Sequence, residues 1–474
     1  MRWLSRIVRG SVCSSLISTG HSGNVSMGSG VVRGIYLLVA TWLLLNAPNS
    51  EFGSDSECYA AETKEVSGRG ISGTIRRDMR VRSVSMSAVQ VGDWPNWSGP
   101  DYDLISRETG FAKEWPKAGL KPLWTREIGT GFSSIAIAGD RLLTMGHISG
   151  KEHVWCLNPT TGEVLWEHTY PSQLIPNLHE GGPCATPTID GDVVYVVGKE
   201  GQFFCLKLSD GSVVWNVELQ KELDVPLPEW GFSSSPRVVG DQLILECGRV
   251  ASFNRQTGKK IWQTEKHTAG YGSAAVFQNE GRTLLATLDC DAIRVINATD
   301  GTVVASFDWK SPYQTNSTTP IVSDDRIFVS TGYDVGCVLL QLQGNELKEI
   351  YRNRNMKNHF NNCVLLDGHL YGFDGNSHNS RSVTLNCMKL ETGEVAWKQR
   401  NLGCGSLMIA DGKLLILSEK GDLVLAEASS SEFRQLARTK FLNGRCWTVP
   451  VLSHGRVYGR NADGKLVCVE LPKS

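Results

Sequence analysis

The sequence predicts an all-β fold: an eight-bladed β-propeller of four-stranded antiparallel blades, with the last blade closed by an N-terminal strand. Three observations predict it. A phrase recurs along the chain, a turn signal recurs in step with it, and the unit at the C-terminal end lacks a strand that is found ahead of the first unit. The phrase is TGEVLW at 161–166, repeated as TGEVAW at 392–397. Between the two copies lie SDGSVVW (209–215), QTGKKIW (256–262), TDGTVVA (299–305) and QGNELKEI (343–350). Their glycines, Gly162, Gly211, Gly258, Gly301, Gly344 and Gly393, are separated by 49, 47, 43, 43 and 49 residues. A fixed period of this size marks a solenoid, a propeller or an array.

The turn signal is an apolar run, a Gly or Asp, and a second apolar run. It reads AIAGDRLLTM, TIDGDVVYVV, RVVGDQLILE, PIVSDDRIFVS, VLLDGHLYGF, MIADGKLLIL and VLSHGRVYGR, with an eroded copy VFQNEGRTLLAT at 276–287. The equivalent positions Asp140, Asp192, Asp241, Arg282, Asp325, Gly368, Gly412 and Gly455 are 52, 49, 41, 43, 43, 44 and 43 apart, which makes eight units. Each unit holds four short runs rich in Val, Ile, Leu and aromatics. In the second they span 185–190, 193–198, 202–208 and 212–218. Alternation bounded by Gly and Asp argues for strands joined by hairpins, and no strong amphipathic helix follows residue 90.

The last unit, RVYGRNADGKLVCVELPKS, has no fourth strand and no Trp, whereas KPLWTREIG at 121–129 supplies a Trp-bearing strand before the first unit. Joining the two removes the open edge that a linear array would expose. The recurring Trp124, Trp166, Trp215, Trp262 and Trp397 are expected to fill the space between blades. The domain organisation read from the sequence is an export signal or leader over 1–60, a flexible linker over 61–90, an N-terminal extension packing on the propeller over 91–120, and the propeller over 121–474.

Composition narrows the function classes. The net charge is −1, and the blades carry no basic block, which argues against nucleic-acid binding. IYLLVATWLLL at 35–45 follows Arg33 and suits a signal h-region, being short for a membrane span. Met27 is an alternative start that leaves a conventional leader. The chain is therefore expected to be exported, to the periplasm or beyond, and to meet a membrane only through the N-terminal segment if that segment stays uncleaved. The thirteen cysteines include no C-x-x-C and no adjacent pair. Cys156, Cys205, Cys387 and Cys468 fall at equivalent strand positions in different blades, too far apart to bond, and read as small buried apolar residues.

Blades patterned as GD-x-VYV, then a Cys-Leu strand, then TGE-x-x-W resemble the pyrroloquinoline-quinone (PQQ)-like repeat of eight-bladed quinoprotein propellers. The region 91–474 resembles a secreted subfamily of these proteins through DWPNWSGPDYDLISRETGFAKEWPKAGLKPLW, WGFSSSP, MKNH and GCGSLMIADGKLLILSEKG. A more distant resemblance is to the outer-membrane assembly propeller lipoproteins. The resemblance implies the fold and two contrasting roles, quinone-dependent dehydrogenation and scaffolding. As dehydrogenases, such proteins seat the quinone on a Trp floor with Ca²⁺ and an Asp base. This chain has no adjacent cysteines to cap the ring, no C-x-x-C-H haem motif, and no recognisable Glu/Asn/Asp calcium set. No catalytic or metal-ligating residue is assigned, and no cofactor, PQQ with calcium being the one the resemblance offers.

No G-x-S-x-G, H-E-x-x-H or Walker motif is present. What remains is position. The loops that enter the innermost strands gather at one mouth of the channel, and they carry His179, Glu180, Trp230, Tyr271, Asn316, His359, Asn361, Arg445 and Trp447. These are the ligand-binding candidates: Arg445 for an anion, Trp230 or Trp447 for a ring or a sugar. The alternative is that the aromatics plug the channel while Asn and His satisfy loop backbone. The expected function is an extracytoplasmic binding or scaffolding protein acting through this funnel on a protein or carbohydrate ligand. A PQQ-dependent oxidoreductase of alcohols or sugars and a polysaccharide-binding module are the alternatives.

Overall fold

The structure, a computed structural model, describes residues 90–474 except position 178. The leader expected over 1–60, and the linker over 61–90 up to its last residue, lie outside the described residues. Eight four-stranded antiparallel sheets form the propeller, each running from an inner strand at the channel to an outer strand at the rim. Blade 2 is Thr188–Asp190, Val193–Val197, Gln202–Lys207 and Val213–Glu218, close to the four runs read from the sequence. The inner strands of blades 1 to 8 begin at Ala136, Thr188, Arg237, Ala275, Ile321, Val364, Ser406 and Val451. The α-helix Leu219–Leu223 has five residues. Among the described residues no helix is long and apolar enough to cross a membrane.

The ring closes as expected. Pro122–Glu127 pairs antiparallel with Lys465–Glu470, Trp124 opposite Cys468, and so supplies the outer strand of blade 8. The recurring phrase has a physical origin at the blade seams. Trp166, on the outer strand of blade 1, donates its indole N–H to Leu208 O of blade 2 at 2.9 Å and lays its ring on Gly211. A Cβ at Gly211 would stand 2.5 Å from that ring, and the residue sits at φ +73°, so the turn requires glycine twice over. Trp124 on Gly162, Trp215 on Gly258 and Trp262 on Gly301 repeat the clasp, and Trp397 donates to Ser429 O across the blade 6–7 seam. Tyr351 takes the Trp place over Gly393, its hydroxyl donating to Leu390 O at 2.8 Å.

Two seams have alanine at this position, Ala305 and Ala437, opposite Val295 and Leu425 in the ladder. At the first, the outer strands Val303–Asp308 and Glu346–Asn353 lie directly against each other, and Arg352 stacks over Phe307 and Trp309. At the second, the segment after residue 107 enters the seam: Ala112 N–H donates to Pro472 O and Leu120 N–H to Thr439 Oγ1. The eleven cysteines among the described residues are free thiols, all buried except Cys184.

Residues 90–111 cross one end of the channel. Trp94 exchanges both backbone hydrogen bonds with Ile137 of blade 1, Pro95 O accepts from Ile189 of blade 2, and Tyr102 stacks under Arg237 of blade 3. Ile105–Ser106 adds a parallel strand to the inner edge of blade 7. Gly92 and Glu108 then bond Ser453 and Gly455 of blade 8. Most of these partners lie in or beside the first hairpins of the blades, so the segment stoppers the end of the channel opposite the inner-strand entry loops.

Candidate functional site

The inner-strand entry loops surround a funnel of about 410 Å³ at the other end. Trp97, on the stopper, is its floor, and on its far side lies a smaller cavity of about 220 Å³. The neck is set by one position per blade. Ser134, Thr186, Ser235, Ser273 and Thr319 each lie two residues before an inner strand, and Asn362 takes the same place in blade 6. The backbone N–H of each member in blades 1 to 5 donates to the side-chain oxygen of the next at 2.9–3.1 Å. The circuit continues from Asn361 Nδ2 to Ser406 Oγ, from Ser406 Oγ to Trp447 O, and from Ser134 Oγ to Val449 O. This collar joins all eight blades and satisfies loop backbone that would otherwise be buried unpaired. Sequence reasoning missed it. Its only signal is a Ser, Thr or Asn at a fixed offset from strands whose starts are not sharply marked.

Above the collar the wall is aromatic. Phe132 stacks on Trp447 at 5.3 Å, Phe360 meets Trp447 at 4.4 Å, and His359 lies between Phe360 and Tyr333 at 5.1 and 5.0 Å. His179 packs edge-on against Phe132 at 5.5 Å. Trp230 and Tyr271 form a separate T-shaped pair at 5.6 Å. Such pairs hold each ring in place while leaving a face for a ligand.

Of the nine candidates, the structure brings His179, Trp230, Tyr271, His359, Asn361, Arg445 and Trp447 together on the funnel wall. Glu180 stands behind them as the ion-pair partner of Arg445, at 3.1 Å. Arg445 also lies over the Trp447 ring, 4.5 Å from its centroid, so its charge is held between a carboxylate and a π face. Asn361 is buried and its amide is engaged by the wall, donating to Gly405 O and Ser406 Oγ. Asn316 is placed elsewhere. It is fully buried, donates to Asp289 O and Trp309 O and accepts from Thr331, while its neighbours Thr315 and Ser317 face the funnel.

The two histidines are neutral at pH 7. Burial, with the fields of Lys199 and Arg445, lowers His179 to about 4, and its Nδ1 accepts the Gly181 N–H. Burial, with His378, lowers His359 to about 4, and its Nδ1 accepts from Ser377. Glu419 receives the Trp447 indole N–H at 3.3 Å and is, among the described residues, the one carboxylate lining the funnel. A calcium-held quinone requires several hard oxygen ligands around the metal. Among the described residues no three His, Cys, Asp or Glu side chains converge to hold an ion. Trp97 supplies a flat floor, but the donor set around it does not fit a calcium-bound quinone.

Comparison with known proteins agrees with the fold. A family model described as outer membrane protein assembly factor BamB matches residues 117–311, which run from the closing strand through blade 4. No curated protein matches the sequence. Among solved structures, BamB from Moraxella catarrhalis is similar with a TM-score of 0.53 at 16% identity, over 74% of this chain and 97% of that one. A europium-containing methanol dehydrogenase gives 0.62 at 10% identity, over 78% and 90%. The quinohemoprotein alcohol dehydrogenase of Comamonas testosteroni gives 0.61 at 11% identity, over 82% of each. Identities this low carry the fold and not the activity. With eight closed blades and the Trp–Gly clasps, the chain is an eight-bladed β-propeller that shares its fold with BamB and with the quinoprotein alcohol dehydrogenases, and its residues 117–311 are similar to the BamB family model.

Proposed function

We propose that this propeller is an extracytoplasmic binding protein, and that its funnel takes a compact ligand presenting a ring face and hydrogen-bonding groups, as a sugar unit or an aromatic peptide side chain does. The observation that carries this reading is the wall itself. A cavity of about 410 Å³ is lined by aromatic side chains above a hydroxyl collar, with Arg445 at its edge. That size and that mixture of apolar wall and few convergent polar groups are those of ligand pockets. Aromatic faces stack on sugars and rings alike, and Ser and Thr hydroxyls that already accept a backbone N–H keep their own proton to donate. Export rests on the apolar run at 35–45. The family match to an outer membrane assembly factor supports a protein-binding role.

The test is calorimetry of the purified protein with a panel of oligosaccharides and aromatic peptides, beside PQQ with Ca²⁺ and an alcohol panel. Binding by the wild type that is lost in Trp230→Ala and Trp447→Ala, at unchanged melting temperature, is the expected result. Binding that survives both substitutions would remove the funnel from the reading. A stoichiometric chromophore with turnover would replace the binding role with quinoprotein catalysis.

A further inference from the structure

One cysteine differs from the rest. Ten of the eleven described are buried, and burial pushes their thiols up, to about 11 at Cys387 and about 12 at Cys156, Cys205 and Cys290. Cys184 instead lines the funnel, in the loop that enters blade 2. Behind it stands Lys199, 0% exposed, with its Nζ 3.0 Å from Gly182 O and 3.8 Å from Cys184 Sγ. Among the described residues no carboxylate comes within ion-pair distance of that ammonium. The nearby acid, Glu152, is engaged by the Lys199 backbone N–H at 3.2 Å and by the Tyr170 hydroxyl at 2.8 Å.

A second wholly buried cation lies in the same region. Arg460 donates only to carbonyls, those of Ser133, Met145, Gly129 and Asn461. Burial lowers it to about 9. Buried charges are ordinarily paired. Among the described residues neither cation has a carboxylate within ion-pair distance, and the Cys184 sulfur stands between Lys199 and the funnel. The lysine cannot swing away, because its stem packs on Gly231, where a Cβ would stand 2.3 Å from Lys199 Cγ.

We propose that Cys184 is a nucleophilic thiol in the funnel wall, activated by the Lys199 ammonium, and that it forms mixed disulfides with small neutral disulfides entering the funnel. In the step, Cys184 Sγ attacks one sulfur of R–S–S–R. The Sγ–S bond forms, the S–S bond breaks, and RS⁻ leaves with the electron pair. The proton of Cys184 goes to solvent, the protein sulfur is oxidised and the leaving sulfur is reduced, so no further oxidant is needed. This stands independently of which ligand the funnel binds.

The experiment uses the full chain with Cys13→Ser and Cys58→Ser, so that only the propeller thiols remain. It is treated with 4,4′-dithiodipyridine at about pH 6; thiopyridone release gives the rate and peptide mass mapping gives the site. One equivalent is expected, located at Cys184, released at least about tenfold faster than from N-acetylcysteine, in line with thiols beside Lys or Arg. Cys184→Ser abolishes it. Lys199→Met, which keeps the stem, slows it about tenfold, and Lys199→Arg keeps most of the rate. A Cys184 rate no higher than that of N-acetylcysteine overturns the proposal, as does a Lys199→Met protein that melts like the parent and reacts as fast. Should Lys199→Met fail to fold, the comparison with N-acetylcysteine and the Lys199→Arg rate decide.

Discussion

The two ends of the central channel are built on opposite principles. At one end, residues 90–111 touch the inner hairpins and strands blade after blade, with Trp94 wholly buried and pressed on Gly99. At the other, Trp230 and Trp447 keep part of their surface open to the funnel. The same residue type thus does structural work below the collar and keeps open faces above it. Groups whose contacts are all internal have none left for a ligand, so the open faces above the collar are where the proposed binding is to be tested.

Substitutions can break that contrast. The largest effect is expected from Trp94→Ala, which removes a fully buried aromatic and should cost about 3–5 kcal/mol, read as a lowered melting temperature. A cost under about 1 kcal/mol would show that the stopper is not part of the cooperative fold. Next is Thr186→Val, which leaves the Ser134 N–H unpaired at the collar and should cost about 1–3 kcal/mol. Smallest is Trp230→Ala on the funnel wall, expected to change stability by roughly 1 kcal/mol or less while removing binding.

A pH series sharpens the same comparison. His179 and His359 have folded values of about 4, whereas an unfolded histidine titrates near about 6.5. Between those values the unfolded chain takes up protons that the folded one refuses, so stability falls as pH drops from about 6.5 toward about 4. Melting curves of His359→Asn should show a shallower fall across that window than the wild type. An equal fall would assign the pH dependence elsewhere.

Much of this was legible in the sequence, and the reasons are specific. The clasps show because each needs two residues, Trp and Gly, at a period set by the blade, and Trp is rare enough to be seen. The closing strand shows because Trp124 carries the clasp while the last unit lacks one. The stopper is different. It occurs once, so no period marks it, and the sequence predicted only an extension packing on the propeller over 91–120. The collar was hidden because Ser and Thr are ordinary loop residues. Asn316 went to the wrong face because loop position alone does not tell which of two neighbours points inward; its buried amide shows that Thr315 and Ser317 were the funnel residues of that loop. Cys184 passed unremarked among the cysteines until Lys199 was seen behind it.

The closing strand also sets an order of assembly. Trp124 reaches Pro159 and Gly162 of blade 1, fewer than 40 residues away, but its backbone ladder awaits Lys465–Glu470. During synthesis the indole can anchor this strand to the first blade early, leaving its other edge as a landing site for the final strands to emerge. Any chain released before those strands are made carries an unpaired, Trp-bearing edge, the kind of surface that quality-control machinery and aggregation both recognise.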